Sequence, residues 1–389
     1  MGVASLARGL VSIMAVVSLA GCQLRSRPEE SRTPAPATEA ASQTATVSSF
    51  TMGTYVTVQA TATTAEKAQE AADAAIRALS ELSDEVDRFL PASPVSRINQ
   101  AAGNGQWVTV SPRLFTLLQK AKQAAELTDG AFDPTVGPLV DLWGFVEVSD
   151  TQAGSGSTAA GSEDETGTAQ VGPAPIVGRK PPSQEAIERV LPLVNYHDLE
   201  LDAATHSARL RRRGQVLDLG GIAKGYGAEL AARMLQESGV TQGLVDLGGN
   251  IFALGHKPDG TPWRAGIKDP RNAGALQAVA VLPVADTALA TSGDYERYFI
   301  YEGVRYSHLL DPHTGYPARS VMSATVITPD GAMGDALSTA AFVVGPEKGP
   351  ALLSKAGAEG IWIRPDFSVI ATPGIRPEVE LRGRAHWAQ

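Results

Sequence analysis

The sequence predicts an α+β fold, mainly antiparallel sheets with packed helices. Three observations carry that expectation. Strand-like alternation and helix-like spacing follow one another irregularly, without the βαβ regularity of a parallel sheet. No segment repeats. Of the 389 residues, 43% are hydrophobic, enough to bury a sizeable core. One long low-complexity stretch, 148–182, interrupts the chain, but the motifs on its two sides belong to one site. It therefore reads as an insertion into a single domain.

The elements follow in chain order. FTMGTYVTVQATA (50–62) alternates like one strand, and order is expected to begin at residue 49. Thr64 to Leu90 places Ala68, Ala72, Ala75, Ile76, Leu79, Leu82 and Val86 at helical spacing, with Thr64 as the N-cap. A second helix, Pro112 to Leu127, has Ser111 placed to cap it. Residues 148–182 hold Gly, Ser, Thr, Ala and acids and close on Lys180-Pro181-Pro182, the composition of a disordered surface excursion. A short helix (Ser183 to Val190), a hairpin (Leu199 to Leu219), a helix (Ile222 to Ser238) and further strands complete the domain. Asn250, after two glycines, is expected in a left-handed turn.

The N-terminus and the charge bound the function. Residues 1–21 carry Arg8, then an apolar run too short to span a bilayer comfortably, ending Leu19-Ala20-Gly21-Cys22. This order resembles a bacterial lipoprotein signal, with Cys22, the one cysteine, as the lipidated new N-terminus. Residues 22–48 are rich in Pro, Ala, Thr, Ser and Glu and are expected to be a disordered tether, leaving 49–389 as the domain. A net charge of −9 and a pI near 5.3 argue against nucleic acid, which needs a clustered basic face. The basic run Arg211 to Arg213 sits between apolar residues and reads as a solvated face.

Three places carry chemistry. LDLGGIAKGYG (Leu217 to Gly227) is a strand, a glycine turn and a helix start. Backbone N–H groups and the helix dipole make such a junction an anion cradle, although a plain tight turn has the same form. Asp335 and Thr339 lie four apart in a predicted helix, so carboxylate and hydroxyl share one face. That pair suits a hard cation, and equally an exposed acid beside a threonine bonded back to its helix. His308, in YSHLLDPHTGYP, lies where a strand enters a turn. It is open to service as a base for an attacking hydroxyl or as a structural partner of the turn. The remaining histidines form no metal-spaced cluster, which argues against zinc.

Eight segments, read in order, resemble the ApbE family of FAD:protein FMN transferases. They are MGTYV (52–56), DGAFDPTVGPLVDLWGF (129–145), LDLGGIAKGYG, VDLGGNIFALG (245–255), WRAGIKDPR (263–271), SGDYERYF (292–299), YSHLLDPHTGYP (306–317) and GDALSTAAFVVG (334–345). The resemblance implies an ApbE-like fold and a set of roles. Asp335 and Thr339 would hold Mg²⁺, with the Gly221 backbone carbonyl as third ligand. Ser338 stands where some relatives carry a second carboxylate, so one metal or two stays open. Asp218 and Lys224 would lie on the FAD, Lys224 against the pyrophosphate. Met52, Tyr55, Ala131, Phe132 and Asp133 would enclose the flavin nucleotide, Leu310 would pack on it, and His308 is the candidate base.

The implied activity is Mg²⁺-dependent transfer of FMN from FAD to a threonine hydroxyl of a partner protein, releasing AMP. An FAD pyrophosphatase and a non-catalytic FAD-binding lipoprotein are the alternatives. The implied partners are flavin-acceptor subunits of respiratory electron-transport complexes. The implied place is the cell envelope, lipid-anchored to a membrane and facing the periplasm or the outside.

Overall fold

A computed structural model describes residues 42–145, 175–272 and 277–389, and Ala41–Gln389 forms one compact unit. The signal segment, Cys22 and most of the expected tether lie outside the described residues. A nine-stranded sheet organises the fold. Its strands are β1 (Gln43–Thr51), β2 (Thr54–Ala62), β3 (Gln242–Leu247), β4 (Asn250–Leu254), β5 (Thr287–Gly293), β6 (Ser323–Thr328), β7 (Glu359–Ile363), β8 (Ser368–Ala371) and β9 (His386–Trp387). They lie side by side in chain order. Every pairing is antiparallel except β8 with β9, so the expected α+β class with mainly antiparallel sheet holds.

Four helices matter to the site: α1 (Ala65–Val86), α2 (Pro112–Leu127), α3 (Ala223–Glu237) and α4 (Gly331–Lys355), the last broken at Gly345 by a φ of 75°. The sequence caps them as expected at two starts. Thr64 accepts from the Lys67 N–H at 3.3 Å and Ser111 from the Leu114 N–H at 3.1 Å. Alanine stripes on α1 and α3 (Ala71, Ala72, Ala75; Ala228, Ala231, Ala232) let both helices lie close on Val56, Val58, Val245 and Leu247 of the sheet. On the other face a small sheet packs Trp263, Ile267 and Leu282 against Leu289, Ile361 and Ile363.

Four expectations need correction. The first strand is a hairpin, turned at Met52 and Gly53 with positive φ, and its first arm already runs from Gln43, inside the expected tether. In QTATVSS only Ala45 and Val47 alternate with polar residues, a weak signal that does not stand out from the Thr-, Ser- and Ala-rich segment before it. The first helix ends at Val86, short of Leu90. Of the insertion expected to be disordered, 146–174 lie outside the described residues, whereas 175–182 are placed. There the Ile176 N–H donates to the Tyr298 carbonyl at 2.8 Å. Finally, Asn250 starts a strand, and the left-handed positions are Gly248 and Gly249.

Candidate active site

The site forms where α3 begins. Asp218 fixes the turn that leads into it. Its N–H donates to the Pro134 carbonyl at 2.7 Å, and its Oδ1 accepts the Gly220 N–H at 2.9 Å. Its Oδ2 meets Arg88 Nε at 2.9 Å, and Arg88 reaches on to Asp141. The Lys224 ammonium, one turn later, donates to the Gly220 carbonyl at 3.1 Å.

Helix α4 crosses α3 where Gly225 meets Gly331. A Cβ on Gly225 would lie 2.6 Å from the Cβ of Asp335 and nearer still to the Gly331 carbonyl, so only glycine permits this approach. The crossing brings the Gly225 N–H to Asp335 Oδ2 at 2.9 Å. Burial pushes the Asp335 carboxyl above its ordinary pKa, while Lys224 and the N–H groups of Gly225 and Lys224 pull it back down. One turn along α4, Thr339 faces Gly221. A Cβ on Gly221 would sit 3.3 Å from both Thr339 Oγ1 and the Phe132 ring, so glycine keeps a gap open there.

Carboxylate, hydroxyl and turn carbonyl make an all-oxygen donor set, the kind a hard cation takes. Among the described residues no group of three His, Cys, Asp or Glu side chains is placed to hold a metal, so a cation here would lean on neutral oxygens.

His308 is half-buried, with Nδ1 3.2 Å from the Arg297 carbonyl. A carbonyl only accepts, so the proton sits on Nδ1 and Nε2 keeps its lone pair. Loss of solvent, then the Arg297 and Lys224 charges, hold the imidazole pKa well below its ordinary value, so the ring is neutral at pH 7. Lys224 thus acts electrostatically on both Asp335 and His308, which places the three in one neighbourhood.

The structure therefore gathers Gly221, Phe132 and Thr339, and next to them Lys224, Asp335 and His308. Met52 borders the group from the hairpin turn, 3.4 Å from where a Cβ of Gly227 would lie. Other expected residues behave differently. Tyr55 is 77% exposed, on the opposite strand face from Val56 and Val58, and its ring stacks edge-on against Phe50. The Asp133 carboxylate is buried and spent inside the protein. It accepts from Thr135 N and Oγ1, both at 2.7 Å, and from Tyr196 N at 2.9 Å, so it locks its loop. Leu310 is buried with Trp143, Phe145 and Phe299. Ala131 lines a groove of about 720 Å³ with Asp311, His313, Val343 and Leu352. Neither Asp335, Thr339 nor Gly221 lines that groove, so the oxygen cluster lies outside it.

Sequence reasoning missed two residues. Phe89, 40% exposed, lies with its ring 4.4 Å from the guanidinium of Arg88, the residue that pairs with Asp218. The signal was an aromatic just past the last periodic position, Val86. Ser292, next to last in β5, touches Ser338 at 2.8 Å and Thr339 at 3.3 Å; it opens the segment SGDYERYF, from which no role is read for it.

Fold and cluster together describe an α+β protein with an oxygen-lined site at a glycine turn. The chain belongs to the ApbE family, whose model matches residues 52–362. A relative from Treponema pallidum (strain Nichols), named FAD:protein FMN transferase, is 35% identical over 304 residues, which cover 74% of this chain and 75% of that protein. The crystal structure of the ApbE protein from Thermotoga maritima superposes with a TM-score of 0.72 at 31% identity, covering 88% of this chain and 100% of that one. The flavin transferase ApbE from Vibrio cholerae does so with a TM-score of 0.69 at 28% identity, covering 87% and 99%.

Proposed function

We propose that this chain is an Mg²⁺-dependent FAD:protein FMN transferase that attaches FMN to a threonine of a partner protein. The observation that carries the proposal is the meeting of Asp335 and Thr339 with the Gly221 turn. Glycine at 221 leaves no side chain between the turn and Thr339 Oγ1, and a carboxylate, a hydroxyl and a carbonyl are the kind of donors Mg²⁺ takes. Bound by Asp335, Thr339 and the Gly221 carbonyl, the ion would supply Lewis-acid charge neutralisation to a pyrophosphate.

The chain's own groups do the rest. Lys224 offsets anionic charge at the helix start. The Phe89 ring offers a face to a stacked heterocycle. Neutral His308 accepts, at Nε2, the proton of the acceptor threonine as its oxygen bonds to the phosphorus on the riboflavin side. The bond between the two phosphates breaks, AMP leaves, and FMN remains in a phosphoester to the acceptor. By this reading the acceptors are flavin-carrying subunits of respiratory electron-transport complexes. The enzyme is held at the envelope membrane through lipidated Cys22, facing the periplasm or the outside, with 22–42 as tether. Asp335→Ala is expected to keep the fold by circular dichroism and to abolish acceptor labelling. An active, folded Asp335→Ala enzyme would remove the metal assignment.

A further inference from the structure

We propose that Ser292 is a positioning residue that turns the Thr339 hydroxyl so that its lone pairs, and not its proton, face the site. This rests on the reading of Thr339 as a cation ligand. A count of protons carries it. Each hydroxyl has one proton to give and two lone pairs to offer. Ser338 Oγ lies 2.8 Å from the Asp335 backbone carbonyl, which can only accept, so the Ser338 proton is used there. Ser338 can then only accept from Ser292 Oγ, 2.8 Å away, and the Ser292 proton is used in turn. In its 3.3 Å contact with Thr339 Oγ1, Ser292 is left as the acceptor and Thr339 as the donor. The competing acceptor for the Thr339 proton, the Asp335 carbonyl, stands farther off at 3.5 Å.

The relay runs one way: Thr339 to Ser292 to Ser338 to the Asp335 carbonyl. Its consequence is specific. The Thr339 proton points into the protein, and both lone pairs remain for the gap beside Gly221. A hydroxyl free to rotate would present its proton to a cation part of the time and bind it more weakly. Ser292 is well placed to prevent this because it is 8% exposed and belongs to β5, not to the helix it steadies. Partners behind a metal ligand commonly change affinity by about 10–100-fold.

The test uses Mn²⁺ as the probe, titrated into the full chain without FAD and followed by the electron paramagnetic resonance signal of free Mn²⁺. Ser292→Thr and Ser292→Val share a shape and differ only in the hydroxyl. Ser292→Val should bind Mn²⁺ about tenfold more weakly than Ser292→Thr, and Ser292→Thr should stay near the unaltered chain. Equal affinities, with the unaltered chain binding Mn²⁺, overturn the relay and leave the Mg²⁺ reading standing. An unaltered chain that binds no Mn²⁺ overturns both. If either variant fails to fold, Ser338→Ala decides. It frees the Ser292 proton to turn toward Thr339 Oγ1 and compete with the cation, so affinity should fall several-fold, and unchanged affinity overturns the relay.

Discussion

Gly225→Ala tests how the site is assembled. The new Cβ would stand 2.6 Å from the Asp335 Cβ, whereas ordinary carbon contacts are about 3.5–4.0 Å. The nearest neighbour is the Gly331 backbone, which cannot swing aside, so α4 must retreat by about 1 Å. The Gly225 N–H to Asp335 bond, 2.9 Å now, would then open to about 3.9 Å and be lost. Overpacking costs about 1–3 kcal/mol and the orphaned buried pair about 1–3 more, offset by about 1 for the better helix former. The net expectation is a loss of about 1–5 kcal/mol in urea unfolding. Misplacing Asp335 by about 1 Å should also slow flavin transfer roughly 100-fold. Gly334→Ala, on the same helix, is the comparison, because its Cβ meets only the Thr328 and Ala290 side chains, at 3.1 and 3.8 Å. A Gly225→Ala enzyme as stable and active as Gly334→Ala would refute the argument.

Three other outcomes are expected. His308 has a folded pKa below its unfolded value, so the unfolded chain binds more protons between the two. Stability is therefore full above about 6.5 and falls as pH drops toward the folded pKa, and His308→Gln should flatten that slope in urea titrations. Transfer by the unaltered enzyme should likewise persist below pH 6.5, where an ordinary histidine would already be protonated. Phe89→Ala should weaken FAD binding by about 1–3 kcal/mol in calorimetry. Cys22→Ala should move the chain from the membrane to the soluble fraction on cell fractionation.

What the sequence revealed and hid follows physical lines. Helix starts were legible because caps act within three residues, as Thr64 and Ser111 do. The glycine turn and the Asp335–Thr339 face were legible because both lie in single short segments. The first hairpin was hidden because the turn at Met52 and Gly53 interrupts what reads as one strand, and alternation alone does not place a turn inside it. Phe89 was hidden inside a helix read four residues too long. The fate of Asp133 depends on Tyr196, 63 positions away, and the contact of Ser292 with Thr339 spans 47. Such pairs exist only once the chain has folded.

The central claim is that FMN ends on a protein and not in water. The direct measurement is the intact mass of an acceptor carrying a target threonine after incubation with the chain, FAD and Mg²⁺. The account predicts an acceptor heavier by one FMN phosphoester and fluorescent in a denaturing gel. Both signals should vanish with EDTA and with a Thr-to-Ala acceptor. Free FMN and AMP accumulating beside an acceptor of unchanged mass would contradict it.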